Sequence, residues 1–426
     1  MKRYRELLRR REFALLWGGA TVSALGDGMS FVALVWLLIE RGGTAGDLGW
    51  LAAVYTAPVI VGGLAAGVIL DRFDPRRVIA ADNLIRGIAI ASVPIAAALG
   101  ALTTPHLFVV AGIYGLLFMT SIAGIPSLIP VLVAEEDLTT ANALESISYG
   151  IAGLAGPAVA GVVIAVIGAP VVLAIDAVTY FVFVACLLAM HPGRSAHAVA
   201  HTDAVADAEA AALGGDIATE GPIAPAQPFG SGIGPAIRFV AGAPAILATT
   251  AMYMCLNVSS GLAIVLIPIY ARDVLGGGSA TYGLLLSSLT AGELVGLVVI
   301  GAIHWRWPLG RSIAAAATVS GLILSLLLLR PSLVPMILIL AASGLVESSL
   351  TPWAQTIRMR LIPPALRGRV FALLRTSMQS TRPIGSVLAG LLLAGGNLTP
   401  ALLAIALLIL GPGAIGLWLP ALGPVP

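Results

Sequence analysis

Gly67-Val-Ile-Leu-Asp71-Arg72-Phe-Asp74-Pro75-Arg76-Arg77 places five ionisable groups in seven residues, between two long apolar spans. A tight turn needs only Gly, Pro, Asn or Ser, so charge at this density marks a working part. The stretch also recurs. Sliding the chain by 234 residues lays Gly49, Leu51, Thr56, Ala57, Val61, Gly62, Gly67, Arg72, Arg77, Ile79, Ala80, Ala81 and Gly87 on identical residues, from Gly283 to Gly321. That is 13 identities in 39 residues without a gap. Apolar composition alone matches some Ala, Leu and Val; it does not align two arginines and the glycines, loop upon loop. A second match, at offset 229, puts Ala143, Leu144, Ser148, Gly156, Ala160 and Gly161 on Ala372, Leu373, Ser377, Gly385, Ala389 and Gly390. Two six-helix halves of one topology, related by an axis along the membrane normal, form a transporter architecture with a central site between them.

The composition requires a membrane. The 426 residues are 58% hydrophobic and 10% charged, against about 25% charged in soluble proteins. Many apolar runs exceed the roughly 18 to 20 residues that cross a bilayer. Breaks between them define twelve candidate helices, at 13 to 39, 48 to 70, 78 to 100, 106 to 133, 141 to 167, 170 to 190, 244 to 270, 281 to 303, 312 to 329, 333 to 357, 370 to 395 and 398 to 420. The fold class is therefore all-α integral membrane. Residues 1–190 and 238–426 are the expected six-helix bundles, and 191–237, rich in Ala, Gly, Pro and acids, is the expected cytoplasmic linker, with a short helix possible at 203 to 213. The first span follows a basic head, but it is too long for a signal peptide and has no small-residue cleavage site. Of the 23 Lys and Arg, 17 fall in the head and in the loops on the same side, so both termini are expected in the cytoplasm.

Cofactor chemistry is not signalled. Cys186 and Cys255 lie inside apolar spans, and the five histidines are scattered, with His197 and His201 reading as solvated loop residues. No metal or cofactor is expected, no phosphate-binding loop occurs, and no nucleic-acid partner is indicated. Gly411-Pro-Gly413-Ala-Ile-Gly416 matches a dinucleotide motif by letter only, since no strand precedes it.

Three local features carry a family resemblance. They are Phe13-Ala-Leu-Leu-Trp17 followed by Leu25-Gly26-Asp27-Gly28, the 67 to 77 run, and Asp82-Asn-Leu-Ile-Arg86. On these the chain resembles the major facilitator superfamily over nearly its whole length, and within it the efflux branch of macrolide-efflux and enterobactin-exporter proteins. The loop signature usually has Gly where this chain has Asp74. The fourth-helix arginine of many proton-coupled exporters is absent, and the fifth-helix antiporter signature is partial in Gly156-Pro157-Ala-Val-Ala160-Gly161. The resemblance implies a monomer in the bacterial cytoplasmic (inner) membrane, in contact with membrane lipid. It would export amphipathic or lipophilic small molecules by alternating access, with protons as the coupling partner. A siderophore or lysophospholipid transporter is the alternative; a non-transporting membrane sensor or a membrane enzyme is the alternative of a different class, and neither is expected.

Individual residues divide by role. Asp71, with Arg72, Arg76 and Arg77, forms the expected cytoplasmic gate, the acid facing the positive N-terminus of a helix near Val370. Its second-half equivalent is Trp305, so one copy alone keeps the acid. A charge within a span costs about 2.5 to 3.5 kcal/mol, which directs attention to Asp27, Glu293, Glu347 and Arg382 as proton-coupling or cavity groups. Asp82 and Arg86, at i, i+4, are expected to form a structural pair. Asp176 is expected to bond locally or reach water near a helix end. Gly156, Pro157, Gly161, Gly385 and Gly390 offer faces for close helix packing. Pro58, Pro126, Pro130, Pro157, Pro268, Pro352 and Pro383 are expected to interrupt spans.

Overall fold

The computed structural model describes residues 2–191, 233–303, 305–363 and 366–423. Nearly all of the expected linker, including His197, His201 and the possible helix at 203 to 213, lies outside them. The described residues are helices and their connections, with no strand among them.

A short helix α1 (Lys2–Leu8) leads into α2 (Arg11–Glu40), burying Leu7 against the base of the bundle. The next span is two helices, α3 (Ala45–Thr56) and α4 (Pro58–Arg72), because Pro58 has no backbone N–H to continue the ladder. Thr44 and Asp47 close a capping box at the start of α3. Then come α5 (Pro75–Ala98), α6 (Thr104–Leu132), α7 (Leu138–Ile167) and α8 (Ala169–Ala189). The second half begins with a short α9 (Ile233–Ala241), followed by α10 (Pro244–Asp273), α11 (Ser279–Ala302) and α12 (Leu309–Ser325). The tenth span divides into α13 (Leu333–Glu347) and α14 (Leu350–Leu361), the eleventh into α15 (Arg367–Gln379) and α16 (Thr381–Leu393), and α17 (Thr399–Trp418) is last.

Among the described residues eleven segments are long and apolar enough to cross a membrane, counting α3–α4 and α13–α14 each as one. The remaining expected span, the eleventh (370 to 395), is α15 and α16 together. Each has 13 residues, about 20 Å at 1.5 Å per residue, too short to cross alone. Only the break at Pro58 follows an expected proline directly. Pro126, Pro130, Pro157 and Pro268 lie inside uninterrupted helices, since a missing donor bends a helix that its neighbours support. The second-half breaks fall at Ser348–Ser349 and Ser380, and Pro352 and Pro383 sit in the first turns that follow.

The aligned glycines explain the repeat physically. A Cβ on Gly62 would strike the carbonyl of Leu116, and one on Gly296 the carbonyl of Leu345, so each glycine holds equivalent helices together within its half. Gly49 and Gly283 act between the halves. A Cβ on Gly49 would lie 2.6 Å from the Ser386 carbonyl, and one on Gly283 would strike the Pro157 carbonyl. The halves therefore meet backbone to backbone, α3 on α16 and α7 on α11, at the end away from the charged loops. Ser279 donates to the Gly161 carbonyl at 2.9 Å and Ser287 to the Leu154 carbonyl at 2.7 Å across the seam. Gly156 faces Gly28, Gly385 faces Val258, and Gly390 faces Ala45 and Gly46. Toward the opposite end a cavity of about 220 Å³ separates α4 and α6 from α15, lined by Ile60, Gly63, Met119, Arg375 and Gln379 among others. The halves thus meet at one end, and the cavity separates them at mid-depth, on the side of the seam toward the 71–77 loop.

Gly283→Val forces a side chain into the seam, and overpacking of this kind costs about 1–3 kcal/mol. Its thermal unfolding midpoint in detergent, followed by intrinsic fluorescence, falls below that of Gly301→Val, whose new Cβ has no neighbour within 4 Å.

Candidate functional site

Arg86 lies deep in α5 with its side chain 1% exposed. Such a group needs acceptors, and four helices supply them to its two terminal nitrogens, leaving Nε buried without a hydrogen-bond partner among the described residues. Asp82, one turn earlier, accepts from Nη2 at 2.8 Å, and Ser121 on α6 accepts at 2.9 Å while donating to the same Asp82 oxygen at 2.8 Å. Nη1 reaches Asp27 on α2 at 3.3 Å and the Tyr180 hydroxyl on α8 at 3.2 Å. The Tyr180 hydroxyl donates in turn to Asp27. The guanidinium stands 4.7 Å from the ring centre of Tyr180 and 5.6 Å from that of Tyr114. Asn83 extends the network, donating to Ser121 at 3.1 Å and accepting from Ser23 at 3.3 Å.

Asp27 and the Asp82–Arg86 pair, given separate roles by the sequence, thus form one cluster. The pair itself is intact. Two carboxylates share one guanidinium, so with both acids ionised the cluster carries an excess negative charge that a proton or a cationic group can neutralise. The members are not equivalent: the Asp27 side chain is 21% exposed and that of Asp82 1%. Asp82 fixes the arginine, and Asp27 is the carboxylate that incoming groups can reach.

Asp176 departs from expectation. It is fully buried, accepting from Ser30 on α2 and from Thr179 at 3.1 Å. Gly26 is the reason, because a Cβ there would strike both Asp176 and Thr179. Without it α2 and α8 come close enough to enclose the acid. Tyr180 and Ser121 carried no sequence signal of comparable strength, although Tyr180 shares a helix face with Asp176 at i, i+4.

The second half holds its charges differently. Glu347 ends α13 and accepts from Ser320 at 2.6 Å and Ser343 at 3.0 Å. Glu293 lies on α11, whose backbone packs directly on Gly344. Arg382 follows the Ser380 break; its side chain makes no hydrogen bond or salt bridge among the described residues, and its Nε is buried without a partner. These three are not assembled into a bonded cluster.

The 71–77 loop also resolves into parts. Asp74 is the N-cap of α5, accepting from the Arg76 N–H at 3.1 Å, with Arg77 at 3.9 Å. Arg76 donates to the Met190 carbonyl at 2.7 Å, tying the loop to the end of α8. Asp71 and Arg72 are exposed, and Asp71 has no hydrogen bond or ion pair among the described residues. The contact expected with the N-terminus of α15 (Arg367–Gln379) is not among its bonds.

Residues 6–214 match a family model described as "Transmembrane secretion effector", and residues 249–426 match that of the Major Facilitator Superfamily. The multidrug efflux pump Tap of Mycobacterium tuberculosis (strain ATCC 25618 / H37Rv) is 27% identical over 419 residues, 94% of this chain and 91% of that protein. Macrolide efflux protein A of Streptococcus pyogenes is 29% identical over 178 residues, 39% of this chain and 41% of its own. Among solved structures, the nucleoside transporter NupG superposes with a TM-score of 0.75 at 11% identity, over 96% of this chain and 98% of that one. A bacterial homologue of the iron transporter ferroportin, inward-facing, gives 0.67 at 17% identity over 95% and 98%. At these identities the two structures speak for the fold alone.

Arg86→Met strands two carboxylates in the core, and removing one partner of a buried ion pair costs about 3–5 kcal/mol. The variant unfolds at a markedly lower temperature in detergent, and Asp82→Asn in the same chain restores part of the loss.

Proposed function

We propose that this chain, which belongs to the major facilitator superfamily, exports amphipathic or lipophilic drug-like molecules by alternating access, driven by proton entry. It is a multi-pass membrane transporter and not an enzyme. The observation that carries the coupling is the cluster of two acids and one arginine, with Asp27 its accessible member. In this reading a proton on Asp27 removes the excess charge, loosens its hold on Arg86 and Tyr180, and lets α2 shift relative to α5 and α8. Cargo and proton then compete for the same carboxylate from opposite sides of the membrane. The multidrug and macrolide pumps among the relatives support a lipophilic cargo, and Arg382 with Glu293 and Glu347 supplies the polar groups of the second half's wall.

The domains follow the same reading: 1–190 and 238–426 rock about the glycine seam, joined by 191–237. The 71–77 loop, the 304–311 loop and both termini face the cytoplasm of a bacterial inner membrane, and the working unit is a monomer. The end toward which the cavity between the halves lies is then the cytoplasmic one, and Asp71 is a released latch. When that end closes, Asp71 docks on the N-terminus of α15, a contact worth about 0.3–1 kcal/mol, or up to ~2 when partly buried. Arg72, Arg76 and Arg77 hold the loop against the headgroups and α8.

In proteoliposomes carrying an imposed proton gradient, the wild type moves a macrolide or another lipophilic drug and acidifies the lumen as it does so. Asp27→Asn lowers drug-dependent proton flux at least tenfold, whereas Asp27→Glu keeps a measurable part; full flux in Asp27→Asn removes this acid from the mechanism. Asp71→Asn leaves proton-independent drug binding unchanged but shifts the spacing between spin labels on α4 and α15 toward the parted state. An unaltered distance distribution, with transport at the wild-type rate, refutes the latch.

A further inference from the structure

Where the first repeat carries Asp71, the second carries Trp305, and that exchange builds a second feature. A cavity of about 540 Å³ lies between α11, α12 and α13 at the charged-loop end. The cavity between the halves measures about 220 Å³, so this one is more than twice as large, and it falls within the ~300–1,000 Å³ of small-molecule sites. It opens sideways, away from the other half. Val299, Val319 and Leu345 line it and are 43%, 45% and 41% exposed, as residues in contact with hydrocarbon would be.

The end wall is rigid and aromatic. Trp305 lies against Trp353 with ring centres 4.7 Å apart, and its indole N–H donates to Ser312 at 2.7 Å. Trp307 and Arg306 stand exposed at the mouth, just beyond Ala302, where α11 ends. Arg306 makes no hydrogen bond or ion pair among the described residues. The sequence contains no acid between Glu293 and Glu347, and Glu347 is held by Ser320 and Ser343. By contrast, the matching loop of the first half has Asp71 and Asp74 beside its arginines.

We propose that this groove binds an anionic glycerophospholipid, with an acyl chain along the apolar wall and the phosphate on Arg306. Three observations select this occupant. The groove opens toward the bilayer hydrocarbon, so an acyl chain reaches it without crossing water. Tryptophans mark the level at which a helix passes from hydrocarbon to headgroups. An unneutralised arginine at that level attracts anionic lipid by ~1 kcal/mol. Anchored there, the lipid fixes the 304–311 loop and the ends of α11 and α12, the counterpart of what Arg76 does for the first loop.

The full chain, purified in detergent and incubated with an equimolar mixture of phosphatidylglycerol and phosphatidylcholine, is examined by native mass spectrometry. The wild type retains phosphatidylglycerol with about a fivefold preference. R306Q changes an exposed side chain and leaves the groove intact, so it keeps a bound lipid but loses the preference. Leu345→Trp fills the groove and loses the retained lipid of either kind. Equal retention of both headgroups by the wild type, or an unchanged preference in R306Q, overturns the proposal. Displacement of the phosphatidylglycerol by millimolar inorganic phosphate also overturns it, because the arginine is then a site for a free anion.

Discussion

The charge of Arg86 is the constraint around which the first half is organised. A guanidinium cannot be left unpaired at 1% exposure, so every helix that surrounds it must deliver an acceptor at a fixed height. Asp82 comes from its own helix, Ser121 from α6, Asp27 from α2 and Tyr180 from α8. These demands set the register of four helices whose apolar surfaces alone would slide past one another, because lipid offers little hydrophobic preference for one packing over another. The bundle is thus pinned electrostatically at its centre and fitted by glycines at its crossings. An altered charge state at Asp27 is felt at the pin and not at the periphery.

The second half obeys the same glycine pattern without the same pin. Gly296 and Gly283 repeat the packing of Gly62 and Gly49, yet Glu347 is satisfied by serines and Arg382 by no bonded partner among the described residues. Its tenth and eleventh spans are broken at Ser348–Ser349 and Ser380, while the corresponding first-half helices α6 and α7 run 29 and 30 residues without interruption. The first half is pinned around a charge and jointed once, at Pro58; the second has two joints and no such pin. A shared ancestral pattern of small residues has therefore been retained for packing, while the polar groups have diverged in purpose.

Much of this was legible in the chain. Span lengths and the 234-residue repeat defined the fold, because membrane helices are recognised by local composition and the repeat preserves glycines that must stay glycine. The acids and arginines of the cluster stood out as charges in apolar surroundings. Their convergence did not, since Asp27, Asp82, Ser121 and Tyr180 are separated by tens of residues and no local spacing encodes which helices are neighbours. Asp176 was misjudged for a related reason: its place near a helix end suggested water, but the absence of a side chain at Gly26, 150 residues away in sequence, encloses it. The helix breaks were partly obscured by proline: Pro58 does divide its span, but Pro126, Pro130, Pro157 and Pro268 lie inside supported helices, and the second-half interruptions sit at serines.

The seam between the halves has a kinetic meaning as well as a geometric one. At the closest points of α7 on α11 and of α3 on α16, carbonyls and glycine Cα atoms face each other, while Thr290 and Leu294 press flat against Gly153 and Gly150 and Trp36 stacks on Tyr282 beside them. Interdigitated surfaces part by successive rotamer changes, each with its own barrier; flat ones part at once. Separation here would break the serine bonds to Gly161 and Leu154 and the Trp36–Tyr282 stack, all short-range contacts, so at its glycine crossings the joint resembles a face seal more than a zip. If the halves part along this seam, as the proposed alternating access requires, such a seal passes through few intermediate positions and shortens the time in which a pore could stand half open across the membrane.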